Sequence, residues 1–260
     1  MLKSLLAKLR TLDWLLIMPV IFLVCLSLAE LYSIGLGQAA GDLSYFKKQL
    51  VFAVIGLFLL FFLAWQDYYF LYSYSNIIYV FGLVVLIAVL IFGGTINGTK
   101  GWFSLFGFGI QPVELVKYIL VVFLSRYLAG ASTRTNPLKN LLSTGLATAL
   151  LAGLVMLQPD FGSALLLVFI WLFALFISGL PKRFFMVLLF IIVIGASLAW
   201  QFFLVDYQKQ RITAFLNPSS QLSSNYNINQ AIIAVGAGGL FGRGLGFGSQ
   251  SQLKFLPEAK

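Results

Sequence analysis

Seven mostly apolar runs of 16 to 22 residues, at 14–32, 50–65, 77–92, 112–128, 141–157, 161–180 and 184–205, constrain this chain more than any other feature. As a helix, a run of that length crosses or nearly crosses a hydrocarbon core about 30 Å thick. Inside lipid every backbone N–H and C=O must be satisfied by the protein itself, so only helices and closed barrels span. Long continuous runs are helical in this setting. The expected fold class is therefore an all-α polytopic membrane protein with seven transmembrane helices in this chain. Composition agrees, since 10% of residues are charged, against about 25% in an average soluble domain. The fifth and sixth runs have the weakest boundary, where only Gln158-Pro159-Asp160-Phe161-Gly162 interrupts an otherwise apolar stretch.

Charge placement orients the spans. Lys3, Lys8, Arg10, Arg126, Arg134, Lys139, Lys182 and Arg183 fall on one side, whereas the short loops opposite hold Lys47, Lys48 and Lys100. Basic residues stay cytoplasmic, so the N-terminus is expected inside and residues 206–260 outside. The first run follows Lys3, Lys8 and Arg10 and could serve as a signal peptide, but the runs that follow favour an uncleaved first span. The same scatter of basic residues explains the net charge of +9 without nucleic acid. Cys25 is the single cysteine, which excludes a disulfide framework, and histidine is absent, which removes the usual near-neutral acid–base group.

Three polar features stand out against this background. The fourth run opens Gln111-Pro112-Val113-Glu114-Leu115-Val116-Lys117, with Pro112 suited to a first helical turn. Glu114 and Lys117 lie three residues apart and share a helix face. Ionisable residues within a bilayer pair with one another or line a wet cavity, so the pair is either a packing device or part of a functional site. Asp160, after Pro159 at a helix entrance, is either a third polar member of that site or a helix cap.

The second feature is the external segment 93–111, which carries Asn97-Gly98-Thr99-Lys100-Gly101-Trp102-Phe103, followed by Phe106, Gly107, Phe108 and Gly109. Glycines permit tight turns, and Trp102 suits either the membrane interface or a substrate-facing position. The third is the tail. Its run Gly236-Ala237-Gly238-Gly239-Leu240-Phe241-Gly242-Arg243-Gly244-Leu245-Gly246-Phe247-Gly248 is neither a dinucleotide loop nor a Walker motif, lacking a preceding strand and a Gly-Lys-Ser/Thr. Its N–H groups and the Arg243 fork could hold a phosphate, or the run could be a plain surface loop.

These stretches, together with Tyr226-Asn227-Ile228-Asn229-Gln230 and Gln250-Ser251-Gln252-Leu253-Lys254-Phe255-Leu256-Pro257-Glu258, resemble the RodA/FtsW/SpoVE (SEDS) family of cell-shape, division and sporulation membrane proteins. Leu12-Asp13-Trp14 and the Gly-Thr-Lys-Gly-Trp stretch look most like its RodA branch; Val113 departs from the family's small polar residue. The resemblance implies a multi-pass protein of the bacterial cytoplasmic membrane with about ten helices. Its activity would be a peptidoglycan glycosyltransferase that polymerises lipid II by inverting transfer, for cell-wall elongation and shape. A class B penicillin-binding protein would be its partner and membrane lipids its surroundings. On this reading 1–260 is one integral-membrane domain, incomplete at its C-terminus, and 206–260 is an extracytoplasmic loop region. The family's general-base aspartate would lie beyond Lys260, so no catalytic residue is assigned and this chain by itself is expected to be inactive. Trp102, Glu114, Lys117, Asp160 and Arg243 are the expected cavity or substrate-binding residues. No metal ligand and no cofactor are indicated, with room left for a divalent cation. A flippase for the lipid-linked precursor and a non-catalytic scaffold are the alternative readings.

Overall fold

The computed structural model describes residues 12–36, 42–96, 98–105, 108–131, 137–179, 181–203, 209, 213, 226–239 and 242–244. It forms two compact units. One comprises residues 1–66 and 199–260, and the other residues 67–198.

The first unit holds α1 (Trp14–Leu36) and α2 (Ser44–Trp65). Asp13 starts α1 by accepting the Leu15 N–H at 3.0 Å, and Asp42 accepts the Ser44 N–H at 2.9 Å. The two helices meet near their connection, where Tyr32 and Phe46 make an edge-on aromatic contact at 5.5 Å.

The second unit holds α3 (Tyr68–Phe92), β1 (Gly94–Ile96), β2 (Thr99–Leu105), β3 (Phe108–Ile110), α4 (Pro112–Ala131), α5 (Pro137–Met156), α6 (Phe161–Ile177) and α7 (Lys182–Leu198). A π-helical turn, Ala199–Phe203, and α8 (Tyr226–Gly238) belong to the first unit.

Helix α4 is the central element of the second unit, packing on α3, α5 and α6. Its buried stripe is Val113, Val116, Leu120, Leu124 and Leu128, spaced three and four apart as one helical face requires. Leu86 and Val89 of α3, Leu151 and Val155 of α5, and Leu167 and Leu175 of α6 complete the core. Most other large apolar side chains are exposed, which is the surface a lipid-embedded bundle needs.

The expected all-α membrane architecture is present, and its details differ from the sequence pattern. Helices α1, α2, α3 and α5 are long and apolar enough to cross a membrane. Helices α6 and α7 have 17 residues each, at the short end of the spanning range. The 20-residue α4 carries Glu114, Lys117 and Arg126, and its hydropathy suffers accordingly. Helix α3 begins at Tyr68 rather than 77. Asp67 caps it by accepting the Tyr69 N–H at 3.0 Å, and its polar residues are used by the protein. Ser75 is fully buried and accepts from Arg126 at 3.0 Å, while the Ser73 carbonyl accepts from the same guanidinium at 3.2 Å. The fifth and sixth spans are separate helices divided at residues 157–160.

Segment 93–111, expected as an external loop, carries a three-stranded antiparallel sheet in the order β1-β2-β3. Ile96 pairs with Thr99 and Leu105 with Phe108, so each connection has two residues. Gly98 closes the first at φ 82°, a conformation costly to any residue with a Cβ.

Candidate functional site

One set of polar residues of the second unit lies where the sheet meets the ends of four helices. The sheet follows α3 and precedes α4, and β2 packs on both. The α5–α6 break arrives at the same end. Gln158 in that break is only 1% exposed, its amide nitrogen 3.5 Å from the Leu86 carbonyl of α3. A Cβ added at Gly101 would lie 3.1 Å from Gln158 Oε1 and 3.9 Å from Gln111 Nε2. Glycine is what lets β2 approach the break so closely.

Strand alternation then sends Trp102 to the opposite face of β2 from Gly101. Its half-buried ring lies over Gly109, where an added Cβ would be 3.2 Å from the ring, and beside Ile96. The sheet thus carries Trp102 on the surface turned away from Gln158.

Asp160 does cap α6. Its Oδ1 accepts the Ser163 N–H at 3.0 Å and its Oδ2 accepts the Ser163 hydroxyl at 2.7 Å. The same Oδ2 also accepts from Gln111 Nε2 at 3.0 Å. That bond joins the entrance of α4 to the entrance of α6.

Glu114 and Lys117 meet in the first turns of α4, with Lys117 Nζ 2.8 Å from Oε1 and 2.7 Å from Oε2. The lysine side chain is 20% exposed and the glutamate 58%. The ammonium is thereby held near the sheet end of the bundle, with an open carboxylate beside it. Among the described residues, no cluster of three His, Cys, Asp or Glu side chains is arranged to hold a metal ion.

Arg243 belongs to the first unit and is described there by itself. It is exposed, and its Nε donates to the Ala237 carbonyl at 3.0 Å, folding back over the end of α8. Gly236 and Gly238 of the proposed phosphate loop are helical, while Gly239, Gly242 and Gly244 have φ of 55°, 71° and 90°. Residues 240–241 and 245–248 of that loop lie outside the described residues, as does most of 206–260.

The structure therefore brings Trp102, Glu114, Lys117 and Asp160 to one end of one unit. Gln111, Gln158, Gly101 and Ser163 join them, although the sequence pattern gave these four no role. The first three sit in the same motifs as the expected site residues; what singles them out is contact across the fold.

The chain matches the model of the FtsW/RodA/SpoVE family, described as cell cycle protein, over residues 7–260. It is 36% identical over 219 residues to the "Probable peptidoglycan glycosyltransferase FtsW" of Coxiella burnetii, covering 83% of the chain and 58% of that protein. It is 32% identical to the peptidoglycan glycosyltransferase MrdB of Escherichia coli K12, covering 92% of the chain and 65% of that protein. Stage V sporulation protein E of Bacillus subtilis is 34% identical, with 95% and 69% covered. The chain thus spans about three-fifths of the length of the FtsW and MrdB relatives. Among solved structures, a chain from a study of polymerization and crosslinking by a peptidoglycan synthase complex superposes with a TM-score of 0.69 at 32% identity, covering 88% of this chain and 67% of that one. The rod shape determining protein RodA of Thermus thermophilus gives 0.57 at 33% identity, with 71% and 59% covered.

Proposed function

Since the chain belongs to the FtsW/RodA/SpoVE family of cell-cycle membrane proteins, we propose that it serves as a peptidoglycan glycosyltransferase that polymerises lipid II. One observation carries this reading beyond the names of the relatives. A lysine ammonium, a carboxylate and an indole lie at the sheet end of a largely apolar bundle.

The chemistry gives these groups work. A sugar 4-hydroxyl attacks the anomeric carbon of a second lipid II. The new C–O bond forms as the bond to pyrophosphate breaks, and undecaprenyl pyrophosphate leaves with the bonding electrons. Attack from the opposite face inverts the anomeric centre, and the hydroxyl proton passes to a carboxylate base. Lys117 supplies positive charge toward the departing pyrophosphate, and Glu114 holds that ammonium in place. Trp102 offers a flat apolar face to a sugar ring. Asp160, engaged by Gln111 and Ser163, keeps α6 in register rather than accepting the proton. Arg243, in the first unit, is by itself a candidate phosphate-binding cation.

The protein lies in the cytoplasmic membrane with its N-terminus inside, the sheet outside and a class B penicillin-binding protein as partner. The distribution of basic residues supports the orientation, and the synthase-complex relative supports the partnership. A protein of family length carrying this sequence, reconstituted in vesicles with labelled lipid II, tests the activity. Glycan polymer is the expected product. Labelled lipid moved across the bilayer without polymer would establish a flippase instead, and neither product would point to a scaffold.

A further inference from the structure

Gln111 occupies the joint of the second unit. It follows β3 directly, precedes Pro112 at the start of α4, and is half-buried. Its side-chain amide donates to Asp160 Oδ2 at 3.0 Å, across 49 positions of sequence. The carboxylate it reaches is already fixed by the Ser163 N–H and hydroxyl. Beside this bond Gly101 of β2 packs against Gln158, where an added Cβ would be a tight 3.1 Å from Oε1, and Gln158 is itself buried. The sheet, the entrance of α4 and the α5–α6 break therefore converge on one charge-assisted hydrogen bond and one close backbone approach.

We infer that Gln111 is a positioning residue: its bond to Asp160 latches the sheet to the α5–α6 break and so fixes Trp102 relative to Lys117. The glutamine touches neither the sugar nor the pyrophosphate. Its requirement is chemical, because the group that faces this carboxylate has to donate a hydrogen bond. A glutamate at this position would set two carboxylates against each other. Asp160→Asn combined with Gln111→Glu would restore the bond with its direction reversed. This role rests on the polymerase reading, and the test below separates the two.

The experiment measures amide hydrogen exchange of residues 99–105 and lipid II polymerisation in a protein of family length, for Gln111→Glu, Asp160→Asn, the double variant and Gln111→Met. Losing a hydrogen bond to a charged group is worth roughly 10- to 100-fold in an equilibrium. Gln111→Glu should lower protection of the sheet amides by that factor and raise KM for lipid II by more than it lowers kcat. The double variant should recover protection and KM to within about threefold, as coupled neighbours do and independent sites do not. Gln111→Met removes the bond without adding charge; it should lose about tenfold in protection and gain nothing from Asp160→Asn. Unchanged protection in both single Gln111 variants would overturn the latch, as would a double variant no better than Gln111→Glu. Lost protection with unaltered kinetics would overturn the positioning role. If the unmodified protein makes no polymer, the polymerase reading fails, while the exchange pattern still decides whether the latch exists.

Discussion

At the scale of single residues, the site depends on which side chains find partners. Lys117 and Glu114 were legible because three-residue spacing on a helix leaves little choice of neighbour. Asp160 was half legible: its position after Pro159 at a helix entrance suggested a cap, and the cap exists. Its second partner was not legible, because nothing local connects Gln111 to a carboxylate 49 residues later. Gly101 was equally silent, since its meaning is an absence of side chain opposite buried Gln158. Gly101→Ala should overpack that contact and cost about 1–3 kcal/mol, read as a lowered unfolding temperature in detergent. An unshifted transition would show that Gln158 can retreat and that the approach is not tight.

Elements were harder to read where composition hid their periodicity. Apolar runs announced the helices, yet α3 starts at Tyr68 because Asp67 caps it and Arg126 satisfies its polar face. Hydropathy cannot register a buried serine that has a guanidinium for a partner. In segment 93–111 the aromatic and glycine residues drew attention to membrane anchoring and away from strand pairing. Asn97-Gly98 between Thr95-Ile96 and Thr99-Lys100 was a hairpin signal in plain view, and the register Ile96 to Thr99 matches it. Gly98→Ala should cost about 1 kcal/mol at φ 82°, lowering protection of the β1–β2 amides about fivefold. Protection equal to the unmodified protein would mean that the turn relaxes without strain.

For the molecule as a whole, the second unit resolves the conflict between an apolar bundle and a charged α4. Glu114 and Lys117 neutralise each other, and Arg126 is held by Ser73, Ser75 and the Tyr72 ring at 5.4 Å. Helix direction follows: the sheet and the α5–α6 break share one end, and the end of α4 and the start of α5, with Arg126 and Lys139, lie at the other. The proposed orientation places the first end outside. In a Cys25→Ser background, a cysteine at Ser104 should react with an impermeant maleimide in sealed cells and one at Lys139 should not; the reverse pattern would invert the topology. The central claim, that the charged pair at the sheet end serves lipid II polymerisation, is tested most directly by kinetics of Lys117→Met in a protein of family length. Removing one preorganised donor to developing charge typically costs about 10²–10³ in kcat. The account predicts a loss of that order from a variant that still inserts and unfolds at a similar temperature, whereas polymerisation within twofold of the unmodified protein would contradict it.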